Sequence, residues 1–87
     1  MKRWVQIFKA LANINRVKIV GLLAHRETMN VTDIAAVLDI SLKATSKHLI
    51  ILDNLDVLSS RGKDSRVFYA LNRAMPKDLW AAVKLFL

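Results

Sequence analysis

Between Thr32 and Ser41 the chain has room for one short helix and a tight turn, and for nothing larger. Thr32 is a good helix N-cap, because its side-chain oxygen can accept from a free backbone N–H of the first turn. Asp33 follows in that turn, where a negative charge suits the helix dipole. A helix over Asp33 to Leu38 is predicted, then a turn at Asp39-Ile40. Ser41 caps a longer helix over Leu42 to Asn54. Two helices joined by so short a connection form a helix-turn-helix, and few arrangements of the remaining chain are compatible with it.

The flanking segments supply the rest. Trp4, Ile7, Phe8 and Leu11 recur at i, i+3, i+4 and i+7 in a first helix from Arg3 to Ala12. Asn13 caps a second, Ile14 to Ala24, with Val17, Val20, Leu23 and Ala24 inward. Gly21 inside it costs roughly 1 kcal/mol against Ala, unless close helix packing needs a small residue. His25 to Asn30 reads as a polar loop. The buried stripe of the fourth helix is Thr45, Leu49 and Leu52, joined by His48 or Ile51. Val57 to Arg61 and Arg66 to Leu71 have strand composition, with Phe68 or Tyr69 inward. Gly62-Lys63-Asp64-Ser65 between them is a hairpin loop. Pro76 sits near position N1 of a last helix, Lys77 to Leu87. No repeat or linker divides the chain. The expectation is one domain over residues 1–87, mainly α with a small β-hairpin, a winged helix-turn-helix of order α-α-α-α-β-β-α.

Composition narrows the function. A monomer of 87 residues buries only about 60% of its unfolded surface. Yet 54% of the residues are hydrophobic, which leaves apolar surface for an oligomer. Fourteen Lys and Arg against seven Asp and Glu give +7, and the pI is near 10.3. An anionic partner follows, nucleic acid first and an anionic membrane surface second. The absence of cysteine excludes disulfides, thiolate metal sites and thiol redox sensing among these residues. No run reaches the roughly 18 apolar residues of a membrane span, and no signal peptide is visible, so a cytoplasmic protein is expected. Glu27, Asp33, Asp39, Asp53, Asp56, Asp64 and Asp78 include no close pair with an evident base, and no Gly-rich phosphate loop exists. No enzyme and no cofactor are expected.

In a winged helix-turn-helix the second helix of the pair enters the major groove, and its N-terminal residues reach base edges. Here these are Leu42, Lys43, Ser46 and Lys47. Lysine can donate to guanine O6 and N7, and serine to either base type. The plain alternative is a solvated helix face that carries two lysines. The hairpin weighs against it. Arg61, Lys63 and Arg66 cluster on and beside its tip with only Asp64 opposing, and such a basic ribbon can lie along a phosphate backbone or reach the minor groove.

Several runs together resemble one family. Phe8-Lys9-Ala10-Leu11-Ala12-Asn13 and Arg16-Val17-Lys18-Ile19-Val20 resemble its first two helices, and Thr32-Asp33-Ile34-Ala35 the first of its DNA-binding pair. Ser41 with Thr45-Ser46-Lys47-His48-Leu49 resembles its recognition helix, and Arg66 to Leu71 its second wing strand. The family is the ArsR/SmtB-type winged-helix repressors, and the similarity runs from about Phe8 to Asn72. It implies double-stranded DNA as partner and adds Thr32, Ser41 and His48 to the DNA-binding set. It also implies a homodimer built from the first and last helices, through Trp4, Val5, Phe8, Leu79, Trp80, Val83, Phe86 and Leu87. The chain departs from the family in two respects. Many members sense metals through cysteines or through His and carboxylates on the last helix, whereas this chain has no Cys and only Asp78 there. His25 and His48 are not an evident pair, so no metal is expected. Ile50 stands where the family often has a polar residue. Repression is the default, and any effector is undetermined. The alternatives are a protein-interaction module and a non-specific architectural nucleic-acid binder.

Overall fold

The computed structural model describes all 87 residues. Its elements are α1 (Lys2–Leu11), α2 (Ile14–His25), β1 (Met29–Asn30), α3 (Val31–Leu38), α4 (Leu42–Asn54), β2 (Leu58–Lys63), β3 (Arg66–Leu71) and α5 (Lys77–Lys84). The expected winged helix-turn-helix architecture is present, with one strand more than the sequence indicated.

That strand is β1, at the end of the segment read as a loop. It pairs antiparallel with β3, Met29 opposite Tyr69 and Asn30 opposite Phe68. The sheet therefore has three strands in the order β1-β3-β2. Two residues are too few to show an alternating pattern. β1 also corrects the cap of α3. Asn30 is buried, and its side-chain carbonyl accepts from the N–H of Asp33 at 2.8 Å. A buried amide needs a partner, and the open first turn of α3 supplies one. Thr32, expected as the cap, lies inside that turn and is exposed. The other two caps are where they were expected. The Asn13 carbonyl accepts from Asn15 and Arg16 N–H, and Ser41 Oγ accepts from Ala44 N–H at 3.0 Å.

The hairpin is longer than predicted and its turn shorter. Gly62 and Lys63 belong to β2, opposite Val67 and Arg66. The loop reduces to Asp64-Ser65, both left-handed at φ 53° and 64°. Positive φ at both central residues is the geometry whose twist matches that of the strands. At the C-terminus, Pro76 is the N-cap and α5 stops at Lys84. Phe86 and Leu87 continue it in a tighter winding, their N–H groups donating three residues back to Val83 and Lys84.

One core joins every helix to the sheet. Ile7, Ile19, Leu23, Ile34, Leu49, Leu52, Val57 and Leu79 are fully buried in it. The inner face of α2 is set by Ile19 rather than Val17, which is half-buried. On α1 the buried residues are Ile7 and Ala10, which turns Phe8 outward. Tyr69 is the inward aromatic of the second wing strand. Nothing lies within 4 Å of where a Cβ on Gly21 would stand, so close helix packing does not account for that glycine.

Candidate nucleic-acid interface

The angle between α3 and α4 is fixed by backbone hydrogen bonds. Asp39 adopts the left-handed conformation at φ 55°. Its N–H donates to Ala36 O, and the Ile40 N–H donates to Ala35 O. This paired closure satisfies carbonyls that a helix end leaves free. α4 ends the same way. Asp56 is left-handed at φ 63°, its N–H donates to Asp53 O, and the Val57 N–H donates to Leu52 O. The chain leaves α4 at a set angle, straight into β2. The Ser60 hydroxyl then donates to the Asp53 carboxylate at 3.2 Å and ties the wing to the helix.

On α4, Lys43 and Lys47 are exposed, Ser46 and His48 half-buried, and Thr45, Leu49 and Leu52 buried. Leu42 and Ile50 are each 54% exposed, so the accessible face of this helix carries two branched apolar groups beside its lysines. Ile50 therefore belongs to the surface and not to the core. Ile51, a candidate for the inner stripe, is also exposed.

The wing has a consistent face. Lys63 stands opposite Arg66, and Arg61 opposite Phe68. Directly opposed residues project on one side of a sheet, so Arg61, Lys63 and Arg66 share the side away from buried Tyr69 and Leu71. A cleft of about 420 Å³ lined by Thr32, Asp33, Ser65 and Arg66 separates the wing tip from the start of α3. The structure thereby brings Thr32 to the wing. The only ion pair in the molecule is Arg3 with Asp78, at 2.8 Å. None of the cations of α4 or the wing has a carboxylate partner.

Sequence reasoning missed Arg16. Its Nε donates to the Ala10 carbonyl, and its Nη1 lies 3.1 Å from His48 Nδ1. Burial, and secondarily the Arg16 charge, lower the His48 pKa below the usual imidazole value. A contact 32 positions apart leaves no local pattern that could have found it.

The expected dimer residues divide in two. Leu79 and Val83 are fully buried in the chain's own core. They cannot contribute surface to a second copy, because α5 uses that face to close the monomer. Trp4, Trp80 and Phe86 are half-buried against the core, whereas Val5, Phe8 and Leu87 are more than half exposed. Trp4 stacks on Phe8 with ring centroids 5.5 Å apart. Arg3 and Asp78 join α1 to α5, so these groups sit on neighbouring helices. No three His, Asp or Glu side chains converge as metal ligands, and no helix is long and apolar enough to cross a membrane.

Residues 13–60 match the model of the bacterial regulatory protein family arsR. The cadmium resistance transcriptional regulatory protein CadC of Listeria innocua is 44% identical over 62 residues, which are 71% of this chain and 51% of that protein. The transcriptional repressor SdpR of Bacillus subtilis is 36% identical over 72 residues, 83% of this chain and 79% of that one. The homodimeric winged helix-turn-helix DNA-binding domain Mb0332 of Mycobacterium bovis, a possible ArsR-family regulator, superposes with a TM-score of 0.79 at 26% identity. It covers 97% of this chain and 74% of its own. The chain spans about half the length of the Listeria innocua relative.

Proposed function

The chain belongs to the bacterial ArsR family of regulatory proteins, and on that premise we propose that it is a sequence-specific double-stranded DNA-binding regulator acting as a homodimer. Its relatives regulate transcription and are not enzymes. The reading is carried by the pairing of Lys63 directly opposite Arg66 where the wing closes. Like charges opposed across a strand pair are destabilising. A phosphate backbone lying on the tip reverses the sign of that interaction. Lys43 and Lys47 on α4 then face the major groove, where lysine donates to guanine O6 and N7. Two recognition helices related by a dimer axis, about 34 Å apart, specify a near-palindromic site. Occupation of a promoter by such a dimer represses it.

The same reading assigns no metal sensing to these 87 residues, which hold no cysteine and no converging set of other ligands. Cadmium added to the protein–DNA complex leaves it intact. Release of the DNA at stoichiometric cadmium would overturn this part.

The test is a fluorescence-anisotropy titration at several salt concentrations. One duplex carries the region upstream of the protein's own gene and the other a scrambled sequence of equal length. A preference of roughly a thousandfold or more for the first is expected. Equal binding with a steep salt slope would mark a non-specific architectural binder instead. No binding to either would favour a protein-interaction module.

A further inference from the structure

We propose that Arg16 is a positioning residue of the DNA interface, which locks His48 in its Nε2–H tautomer so that α4 presents a fixed N–H donor. The inference rests on the DNA reading above and adds to it the residue that orients the donor.

The argument is one of hydrogen inventory. Arg16 Nη1 lies 3.1 Å from His48 Nδ1. A guanidinium has five N–H donors and no acceptor. Nδ1 must therefore offer a lone pair, and the single proton of the neutral ring resides on Nε2. A doubly protonated imidazole would set an N–H against an N–H, and burial with the Arg16 charge disfavours that form. Nε2 makes no hydrogen bond within the protein, yet no buried side-chain nitrogen is left without a partner. Nε2 consequently reaches solvent, from the residue that directly follows exposed Lys47 in α4. Arg16 is itself anchored, since its Nε donates to the carbonyl of Ala10 near the end of α1. The Asn13 side chain caps the backbone N–H of the same residue. The orientation of the His48 donor is thus set from the α1–α2 junction. Its targets on DNA are acceptors, a phosphate oxygen or the N7 and O6 edge of a purine.

Two substitutions of His48 separate the ring nitrogens. Glutamine carries its amide near the position of Nε2 and asparagine near that of Nδ1. With the upstream duplex as probe, His48→Gln retains affinity to within about threefold, and His48→Asn loses about tenfold, the order of one hydrogen bond to a charged or polar acceptor. An even loss across upstream and scrambled duplexes assigns the donor to phosphate. A loss confined to the upstream duplex assigns it to a base. Imidazole nitrogen NMR of the free protein reads the lock directly. His48 shows Nδ1 unprotonated and Nε2 protonated, and in Arg16→Met the tautomers mix. A wild-type ring already in mixed tautomers would overturn the lock, and so would equal affinities for the two His48 variants. Failure of the DNA reading has a different signature: wild-type protein that binds neither duplex while its His48 tautomer stays single.

Discussion

Helices α2, α3 and α4 each begin on a side chain that accepts from the first turn, Asn13, Asn30 and Ser41. Helices α1 and α5 begin at Met1 and Pro76 with no such bond. The contrast extends to surfaces. The middle of the chain closes α3 and α4 by backbone geometry and presents Lys43, Lys47, Arg61, Lys63 and Arg66 to solvent, with Leu42 and Ile50 exposed beside the lysines of α4. The ends leave Val5, Phe8, Leu85 and Leu87 exposed. A charged surface facing water satisfies itself, whereas an apolar one gains by being covered. The reading half is organised within one chain, and the end helices acquire their full packing only from a second copy under the proposed function.

The largest effect expected from this contrast comes from Phe8→Glu. Phe8 is 58% exposed, so the monomer fold survives the change. The dimer does not, and affinity for the upstream duplex falls by roughly a hundredfold or more as two linked half-site contacts become one. Sedimentation that still shows a dimer would break the comparison. Next are the two cations of the reading half. Arg66→Ala lowers affinity evenly across sequences and reduces the salt slope by about 1, while Lys47→Ala relaxes sequence preference. Unchanged affinity in both would remove the groove-and-wing arrangement.

Ser41→Ala sharpens the comparison within stability alone. Loss of this cap costs about 1 kcal/mol, a fall in Tm of roughly 4–8 °C for a domain of this size. Lys2→Ala, at the uncapped start of α1, leaves the midpoint unchanged. The smallest effect that differs from zero belongs to Asp78→Asn. The Arg3 side-chain hydrogen bond holds the Asp78 carboxyl below the usual carboxylate range. A depressed folded-state pKa contributes stability above the unfolded value and loses it as pH falls through the folded one. Asp78→Asn therefore lowers Tm slightly near neutral pH, and the difference from wild type disappears in acid. A difference that grows on acidification would reverse the assignment.

The same division governs what was legible in the sequence. Ser41, Asn13 and the Leu42 to Asn54 helix could be read because caps and helical periodicity are local signals. The wing cations were legible as a cluster, although their common face needed the register Lys63 opposite Arg66. β1 was hidden because two residues carry no period, and with it went the true cap of α3. Arg16 was hidden because its partner lies on another helix. Leu79 and Val83 were misassigned to the dimer for a physical reason. An apolar stripe on a terminal helix looks the same whether it closes its own core or a neighbour's, and only burial tells the two apart.

The left-handed residues of this chain are Asp39, Asp56, Asp64 and Ser65, and neither glycine has a positive φ. Gly21 lies instead within a helix, with open space where an alanine methyl would stand. Glycine is placed where it weakens the fold and is missing where it would relax it. Gly21→Ala is worth roughly 0.5–1 kcal/mol, and glycine at position 39 or 56 removes a backbone penalty of similar order. A thermally hardened variant is therefore accessible through three small substitutions, none of which alters a charged residue of the recognition helix or wing, or the apolar face of the end helices.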